Sequence, residues 1–520
     1  MQIIDNKALL FATRSAAQIT SLIPQSKVLA SAGEVSKVLV KWGPQEFQIL
    51  QNLRVENVPH PILGQYKWAG VDPPFEHQKI SAAFMASHRR CFNLSEAGTG
   101  KTRTCAWAAD YLMQIGAIRR VLVVCPVSIM ETAWVADLFR TVMHRKVAMA
   151  VGNRKQRIAI INGDYEFVVI NFDGIKSPLM EKALLRGGFD LIIVDEANAV
   201  KNPGTERWRA LDAIIKPDTR LWLMTGTPAA QSPVDAYGLA KLVNPQSVPR
   251  FIGAFRDQVM VKVSQFRYIP RIDAQDTVFK VLQPAIRYTK AECLDLPELL
   301  YTTREVPMTK QQQHYYEVVR KNMAAMAAGE EITAANAAGL LNKLLQIAQG
   351  AAYSTDREVV EFDVSNRFNE LLDVIHNTQH KVVVFVPYRH VMEVVADKLA
   401  QAGITHAMIH GAVSAGQRAD HIKAFQTEHD PRVLLIIPQA AAHGVTLTRA
   451  DTVVWWGPTP SAELYLQGNA RAHRAGQTNR VTVVRLQGSP VERKLYGLLD
   501  GNVRFHLDTV ALFRQEIEGN

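Results

Sequence analysis

RRCFNLSEAGTGKTRTCAWAADYLMQI, residues 89–115, reads as a strand, a glycine-rich turn and a helix in immediate succession. KTRTCAWAADYLMQI repeats apolar residues at three- and four-residue steps, the helical period. The turn SEAGTGKT (residues 95–102) lies close to the phosphate-loop pattern G-x-x-x-x-G-K-[ST], with Ser95 where the first glycine belongs. Gly98 and Gly100 allow a tight turn that points backbone N–H groups at phosphate oxygens, with Thr99 between them. Lys101 would pair with the β and γ oxygens, and Thr102 would place its hydroxyl on Mg²⁺. Alone, such a turn also caps ordinary helices, so the rest of the chain decides.

Working outward, the same alternation recurs. VLVVCP (121–126), EFVVINF (166–172), DLIIVDEA (190–197) and RLWLMTGTP (220–228) are compact Val/Ile/Leu runs ending in polar or turn residues. Runs apolar on both faces suit parallel strands covered by helices on each side. After about residue 360 the pattern returns in KVVVFVPY, HAMIHG, RVLLIIPQ, DTVVWWGP and RVTVVRLQ. Between the two blocks, residues 310–350 are rich in Ala, Leu, Lys and Gln and strongly helical. At the start, KVLVKW (37–42) and FQILQNLRV (47–55) read as short strands, and the Pro- and Gly-containing stretch 60–75 as a linker.

The expected fold is α/β: two parallel-sheet lobes with helical insertions and a small β-rich N-terminal domain. The expected boundaries are 1–62 for the accessory domain, 63–240 for lobe 1 and 241–358 for a linker with a helical insertion. Lobe 2 follows at 359–500 and a C-terminal helix at 501–520.

Of 520 residues, 48% are hydrophobic and 21% charged, as in a folded globular chain rather than a disordered one. The formal charge of +10 favours a polyanionic partner without requiring one. Four cysteines with no C-x-x-C spacing argue against a zinc site and for a reducing compartment. The first residues lack a signal-peptide pattern, and no apolar run reaches the ~20 residues of a membrane span. The expectation is a cytoplasmic monomer, in a bacterial cell or a phage-infected host.

DLIIVDEAN delivers Asp195 and Glu196 at the end of an apolar strand, where ligands bind in open α/β sheets. Asp195 would hold Mg²⁺, and Glu196 would position and deprotonate an attacking water. Far downstream, LYLQGNARAHRAGQT places Gln467, Arg471, His473 and Arg474 together. Three residues apart, Arg471 and Arg474 would share a helix face and neutralise charge on a triphosphate. In isolation an R-x-x-R pair more often marks a solvated basic face. The adjacent tryptophans Trp455 and Trp456, inside a β-like run, read as core rather than as a base-stacking platform.

FEHQ, SEAGTGKT, VLVVCPVSIMETAW, DEANAVKNPGT, TGTP, HGAVSAGQR and AAAHGVTLTRADTVVWWGPTPSAELYLQGNARAHRAGQT follow one another in chain order. Together they resemble the helicase motifs of superfamily 2, and in particular the Swi/Snf branch, with its compact phage and bacterial members. RYTKAECLDLPELL (287–300) resembles that branch's arginine-rich crossing between lobes. The resemblance covers about residues 65–500. It implies two RecA-like lobes, ATP with Mg²⁺, and DNA, duplex or branched, as partner. By motif, Gln78 belongs to the adenine side; Gly98, Thr99, Gly100, Lys101 and Thr102 to motif I; Asp195 and Glu196 to motif II. Thr225, Gly226 and Thr227 match motif III, Gly444 motif V, and Gln467, Arg471 and Arg474 motif VI. Asn198 stands where the family has His, and Ala97 where it has a bulkier apolar residue.

Nucleic acid would then lie across both lobes, on backbone-directed contacts from Ser128, Lys201, Asn202, His410, Gly411 and Thr448. The implied activity is ATP-driven translocation on double-stranded DNA. A strand-separating helicase on DNA or RNA, and an ATP-driven protein remodeller using residues 1–62 as its interaction module, are the alternatives.

Overall fold

A computed structural model describes residues 1–229, 232–264, 267–293, 296–329, 334–353, 358–441 and 445–500. The N-terminal strands β1 (Gln2–Ile4), β2 (Ala8–Thr13), β3 (Lys27–Ala32) and β4 (Val35–Lys41) form an antiparallel sheet in the order β1-β2-β4-β3. One face alternates Leu9, Phe11, Val38 and Val40 into a small core with Trp42 and Leu50. FQILQNLRV is not a strand: residues Pro44–Asn52 are helical, begun by Pro44 in the first turn, with Phe47 and Leu50 buried one turn apart. Nor does the stretch 60–75 run free. It packs across lobe 1, where Tyr66 Oη donates to buried Asp110 at 2.6 Å and Trp107 Nε1 donates to the Ala69 carbonyl at 2.7 Å.

Lobe 1 contains β5 (Arg90–Asn93), β6 (Val121–Cys125), β7 (Val147–Met149), β8 (Phe167–Asn171), β9 (Leu191–Asp195), β10 (Arg220–Met224) and β11 (Ala285–Ile286). They form one sheet, ordered β11-β5-β10-β9-β6-β8-β7, and every pairing is parallel. Alternate residues feed different cores: Leu122, Val124, Ile192 and Val194 on one face, Val121, Val123, Leu191 and Ile193 on the other. That double burial is why these strands carry unbroken apolar runs.

Lobe 2 contains β12 (Leu299–Glu305), β13 (Lys381–Phe385), β14 (His406–Ile409), β15 (Val433–Ile436), β16 (Ala450–Trp455) and β17 (Val481–Gln487). Their order is β12-β17-β16-β13-β15-β14, again all parallel. Trp455 and Trp456 are fully buried and belong to opposite-face cores. The stretch 241–358, expected as linker plus insertion, supplies an edge strand to each sheet, β11 to the first and β12 to the second. Its helix Ala334–Gln349 packs Leu341, Leu344 and Leu345 against Val491 and Leu495 of the helix Pro490–Asp500. The expected C-terminal helix over 501–520 lies outside the described residues. Among the described residues no helix is long and apolar enough to cross a membrane.

A buried ion pair ties lobe 2 together. Arg367 donates to Glu492 Oε2 at 2.9 Å, and the same oxygen accepts from the backbone N–H groups of Gly488 and Ser489. Both side chains are at most 3% exposed. Glu492→Ala leaves a buried guanidinium without its carboxylate, an expected loss of about 3–5 kcal/mol, to be read from urea unfolding midpoints.

Candidate nucleotide site and interlobe cleft

Strand order explains how the motifs meet. β5, β10 and β9 are neighbours, and Asn93, Met224 and Asp195 stand in register at their C-terminal ends. The loops that follow, 95–102, 225–228 and 195–198, therefore share one edge of the sheet, the edge where open α/β sheets bind ligands.

The loop 95–102 turns through Gly98 (φ +92°) and Gly100 (φ +83°), left-handed values that favour glycine. A Cβ on Gly100 would stand 2.1 Å from Gln78 Nε2. Gln78 sits beneath the loop: its Nε2 donates to the Thr99 carbonyl at 3.1 Å, and its Oε1 accepts from Phe75 N–H at 3.0 Å. The departure at Ser95 has a structural reason. Its Oγ accepts from Tyr288 N–H at 3.2 Å, pinning the segment between the lobes alongside the loop, a bond glycine could not make. Ala97 lies against Gly226, where a Cβ would come 3.4 Å from the Ala97 nitrogen.

The helix Lys101–Gln114 begins directly at the loop, so its N-terminal N–H groups face the same space. Lys101 Nζ donates to the carbonyls of Ser95 (2.8 Å) and Glu96 (3.1 Å). Burial pulls its pKa below the usual lysine value, opposed by the charges of Glu196 and Asp195. Asp195 accepts from Trp134 Nε1 at 2.9 Å on one oxygen and from Glu196 N–H at 2.9 Å on the other. Burial raises both carboxyls. Glu196, with Asp195 beside it, is pushed up to about 7, while Lys101 and Arg471 pull the other way.

Lobe 2 closes the site. Arg471 lies in the last turn of the helix Ala462–Ala472; Arg474 lies past its end, so the two do not share a helix face. They nevertheless converge. Burial lowers Arg471 to about 10, with Arg474 adding to the shift and Glu196 and Asp195 opposing it, so the guanidinium stays charged at neutral pH. The Cβ of Arg474 is 3.4 Å from where a Cβ on Gly98 would be.

Asn198, in place of the family histidine, bridges three motifs. Its Nδ2 donates to Thr227 Oγ1 at 3.1 Å and, across the lobes, to Glu463 Oε1 at 2.9 Å. Glu463 also accepts from Gln467 Nε2 at 3.2 Å. Asn198→Ala removes both donors, and the seam should lose about 1–3 kcal/mol, read as faster tryptic cleavage between the lobes with an unchanged unfolding midpoint of lobe 2.

A cleft of about 1050 Å³ runs between the lobes, lined by Ser128, Asn171, Lys201 and Arg207 on one side and Arg418 and Gln439 on the other. Of the expected nucleic-acid residues, Ser128 and Lys201 line it, and Lys201 pairs with Asp235 at 3.0 Å. Asn202 instead caps a turn, accepting from Gly204 N–H at 2.9 Å. His410, Gly411 and Thr448 are not among its lining residues; Thr448 is bonded within lobe 2 by Gln426 and Gln477. Gly444 lies outside the described residues. Sequence reasoning missed Trp134, Lys290 and Glu463. Each acts across a gap of 61 or more residues, which no local pattern reports.

The description "SNF2-related domain" matches residues 77–351, more than half of the chain, and "helicase conserved C-terminal domain" matches residues 366–476. The chain belongs to the SNF2-related family. An uncharacterized ATP-dependent helicase, MG018, of Mycoplasma genitalium is 25% identical over 405 residues, covering 75% of this SNF2-related chain and 37% of that protein. The chromodomain-helicase-DNA-binding protein 1-like of Danio rerio is 26% identical over 457 residues, covering 82% and 42%. The chain thus spans about two-fifths of the length of these curated relatives. The Sulfolobus solfataricus SWI2/SNF2 ATPase core in complex with dsDNA aligns at 18% identity with a TM-score of 0.42, covering 87% of this chain and 95% of that one.

Proposed function

We propose that this SNF2-related chain is an ATP-driven translocase on double-stranded DNA, working as a monomer with residues 1–62 as a docking module for protein. The observation that carries this reading is the composite site: the phosphate loop and carboxylates come from lobe 1, while Arg471 and Arg474 come from lobe 2. Hydrolysis at such a site requires the lobes to meet, so each turnover is tied to an opening and closing of the cleft. Relatives named as an ATP-dependent helicase and as a helicase-DNA-binding protein support nucleic acid as the track.

In this scheme the loop N–H groups and Lys101 hold the β and γ phosphates. Glu196 takes the proton of the attacking water. Arg471 and Arg474 oppose charge developing on the transferred phosphoryl group. The hydroxyl of Thr102 and the carboxylate of Asp195 are hard oxygen donors and fit Mg²⁺, which when bound supplies charge neutralisation at the phosphates. Closing around DNA would grip the phosphodiester backbone from lobe 1 through Ser128 and Lys201, without reading bases.

The test is ATP hydrolysis by purified protein with no nucleic acid, duplex DNA, single-stranded DNA or RNA, beside Lys101→Ala. Duplex stimulation that falls with salt and disappears in the variant supports the translocase. Preference for single strands or RNA replaces it with a strand-separating helicase. Turnover indifferent to every nucleic acid overturns both and points to a protein substrate.

A further inference from the structure

The segment between the lobes carries a cation, Lys290, to which the site assignments above give no role. Lys290 opens the short helix Lys290–Cys293. Its backbone N–H donates to Glu96 Oε2 at 3.1 Å, and its ammonium donates to the His473 carbonyl at 3.1 Å. One residue thus joins the phosphate loop of lobe 1 to the Arg471–Arg474 turn of lobe 2. Its Cε lies 3.4 Å from where a Cβ on Gly98 would stand, the same distance as the Cβ of Arg474. Both side chains therefore pack at contact distance beside Gly98 of the loop, where the positive φ favours glycine.

The surroundings of Lys290 call for an anion. It is half-buried, and three further cations, Arg471, Arg474 and Lys101, act on it, with Glu96 the carboxylate opposing them. An ammonium has three donors. Its hydrogen bond goes to a neutral carbonyl oxygen, and no carboxylate among the described residues is bonded directly to the ammonium. A half-buried charge in that position is costly unless a ligand supplies the partner.

We propose that Lys290 binds the terminal phosphate of a nucleoside triphosphate from the interlobe segment, and so distinguishes triphosphate from diphosphate. This rests on the nucleotide-site reading above. Lys101 approaches from the helix behind the loop, whereas Lys290 approaches from the interlobe segment, which Ser95 and Glu96 hold beside the loop and His473 ties to lobe 2. Loss of the terminal phosphate would release Lys290 from the nucleotide and loosen a residue that links loop, segment and motif VI.

The experiment is equilibrium binding of a fluorescent, slowly hydrolysed ATP analogue and of the matching ADP analogue to the full chain, to Lys290→Gln and to Lys290→Arg. Lys290→Gln should bind the triphosphate about 10- to 100-fold more weakly, the loss of one charge-assisted hydrogen bond, while its ADP affinity stays within about threefold. Lys290→Arg keeps the charge and should recover most of the difference. A purely structural lysine would weaken both nucleotides together, and that result overturns the proposal, as does an unchanged ratio of the two affinities. If Lys290→Gln does not fold, Lys290→Arg decides: a folded variant that has lost triphosphate preference despite its charge overturns the proposal, and retained preference supports it. Wild-type protein that binds neither analogue overturns the nucleotide site itself; wild type that binds both, with Lys290→Gln identical to it, overturns Lys290 alone.

Discussion

Arg471→Ala is expected to lower duplex-stimulated ATP turnover by about 10³–10⁵-fold, the range over which a trans-acting arginine accelerates phosphoryl transfer. Arg471 reaches the site from lobe 2, is buried, and lies within electrostatic range of both Asp195 and Glu196. Its charge matters where phosphoryl charge develops, whereas the ground-state phosphates are held chiefly by the loop and Lys101. Turnover should therefore collapse while binding of a non-hydrolysed ATP analogue changes little. Arg471→Lys should not restore the rate, because an ammonium lacks the planar fork that spans two phosphate oxygens. Turnover within tenfold of wild type in Arg471→Ala would remove Arg471 from the mechanism and, with it, the argument that the lobes must meet for hydrolysis.

The lobes themselves were readable because their determinants are local. Five-residue runs such as VLVVC and LIIVD are buried on both faces, and a run of that kind has no other comfortable place than the middle of a covered parallel sheet. The loop 95–102 and the pair Asp195–Glu196 were equally plain, since each is a short motif at the end of such a strand. What sequence hid is long-range. β11 is two residues long, and nothing in Ala285–Ile286 announces that it pairs with β5 nearly two hundred residues earlier. β12, LLYTTRE, is half exposed and pairs in parallel with β17, so the stretch 241–358 looked like a connection although both sheets draw on it. The helix at Pro44–Asn52 reads as a strand in sequence because its apolar residues are few; Pro44 and the Phe47/Leu50 spacing are the helical signals it carries. Within the site, the spacing of Arg471 and Arg474 suggested one helix face, but the helix stops at Ala472 and the convergence comes from the turn that follows. Ser95 and Asn198 looked like departures from a pattern. In three dimensions each has a partner the pattern cannot show, Tyr288 N–H for one and Glu463 for the other.

Glu196→Gln should abolish most turnover and stabilise the protein at the same time. As the general base, Glu196 contributes about 10²–10⁴-fold, and Gln cannot take the proton. With Glu196 pushed up to about 7 by burial and by Asp195, the reactive carboxylate is the minority form at pH 6 and the majority at pH 8. The rate should accordingly fall about tenfold per pH unit on the acid side of 7 and level off above it, as a single ionisation requires. The same shift fixes the sign of the stability effect. Between the ordinary glutamate value of 4.5 and 7 the folded state holds a proton that the unfolded state has released, so stability falls as pH rises through that window. Above it the charged carboxylate costs the fold at most about 3 kcal/mol. A neutral glutamine escapes that cost, so the variant should unfold at higher temperature than wild type at pH 8 and nearly equally at pH 5. Thermal melts at the two pH values, alongside ATP turnover across pH 5.5–8.5, separate this from simple damage to the site. A variant that is both inactive and less stable at pH 8 would mean that Glu196 is a structural carboxylate, held by Lys101 and Arg471 rather than poised against a phosphate.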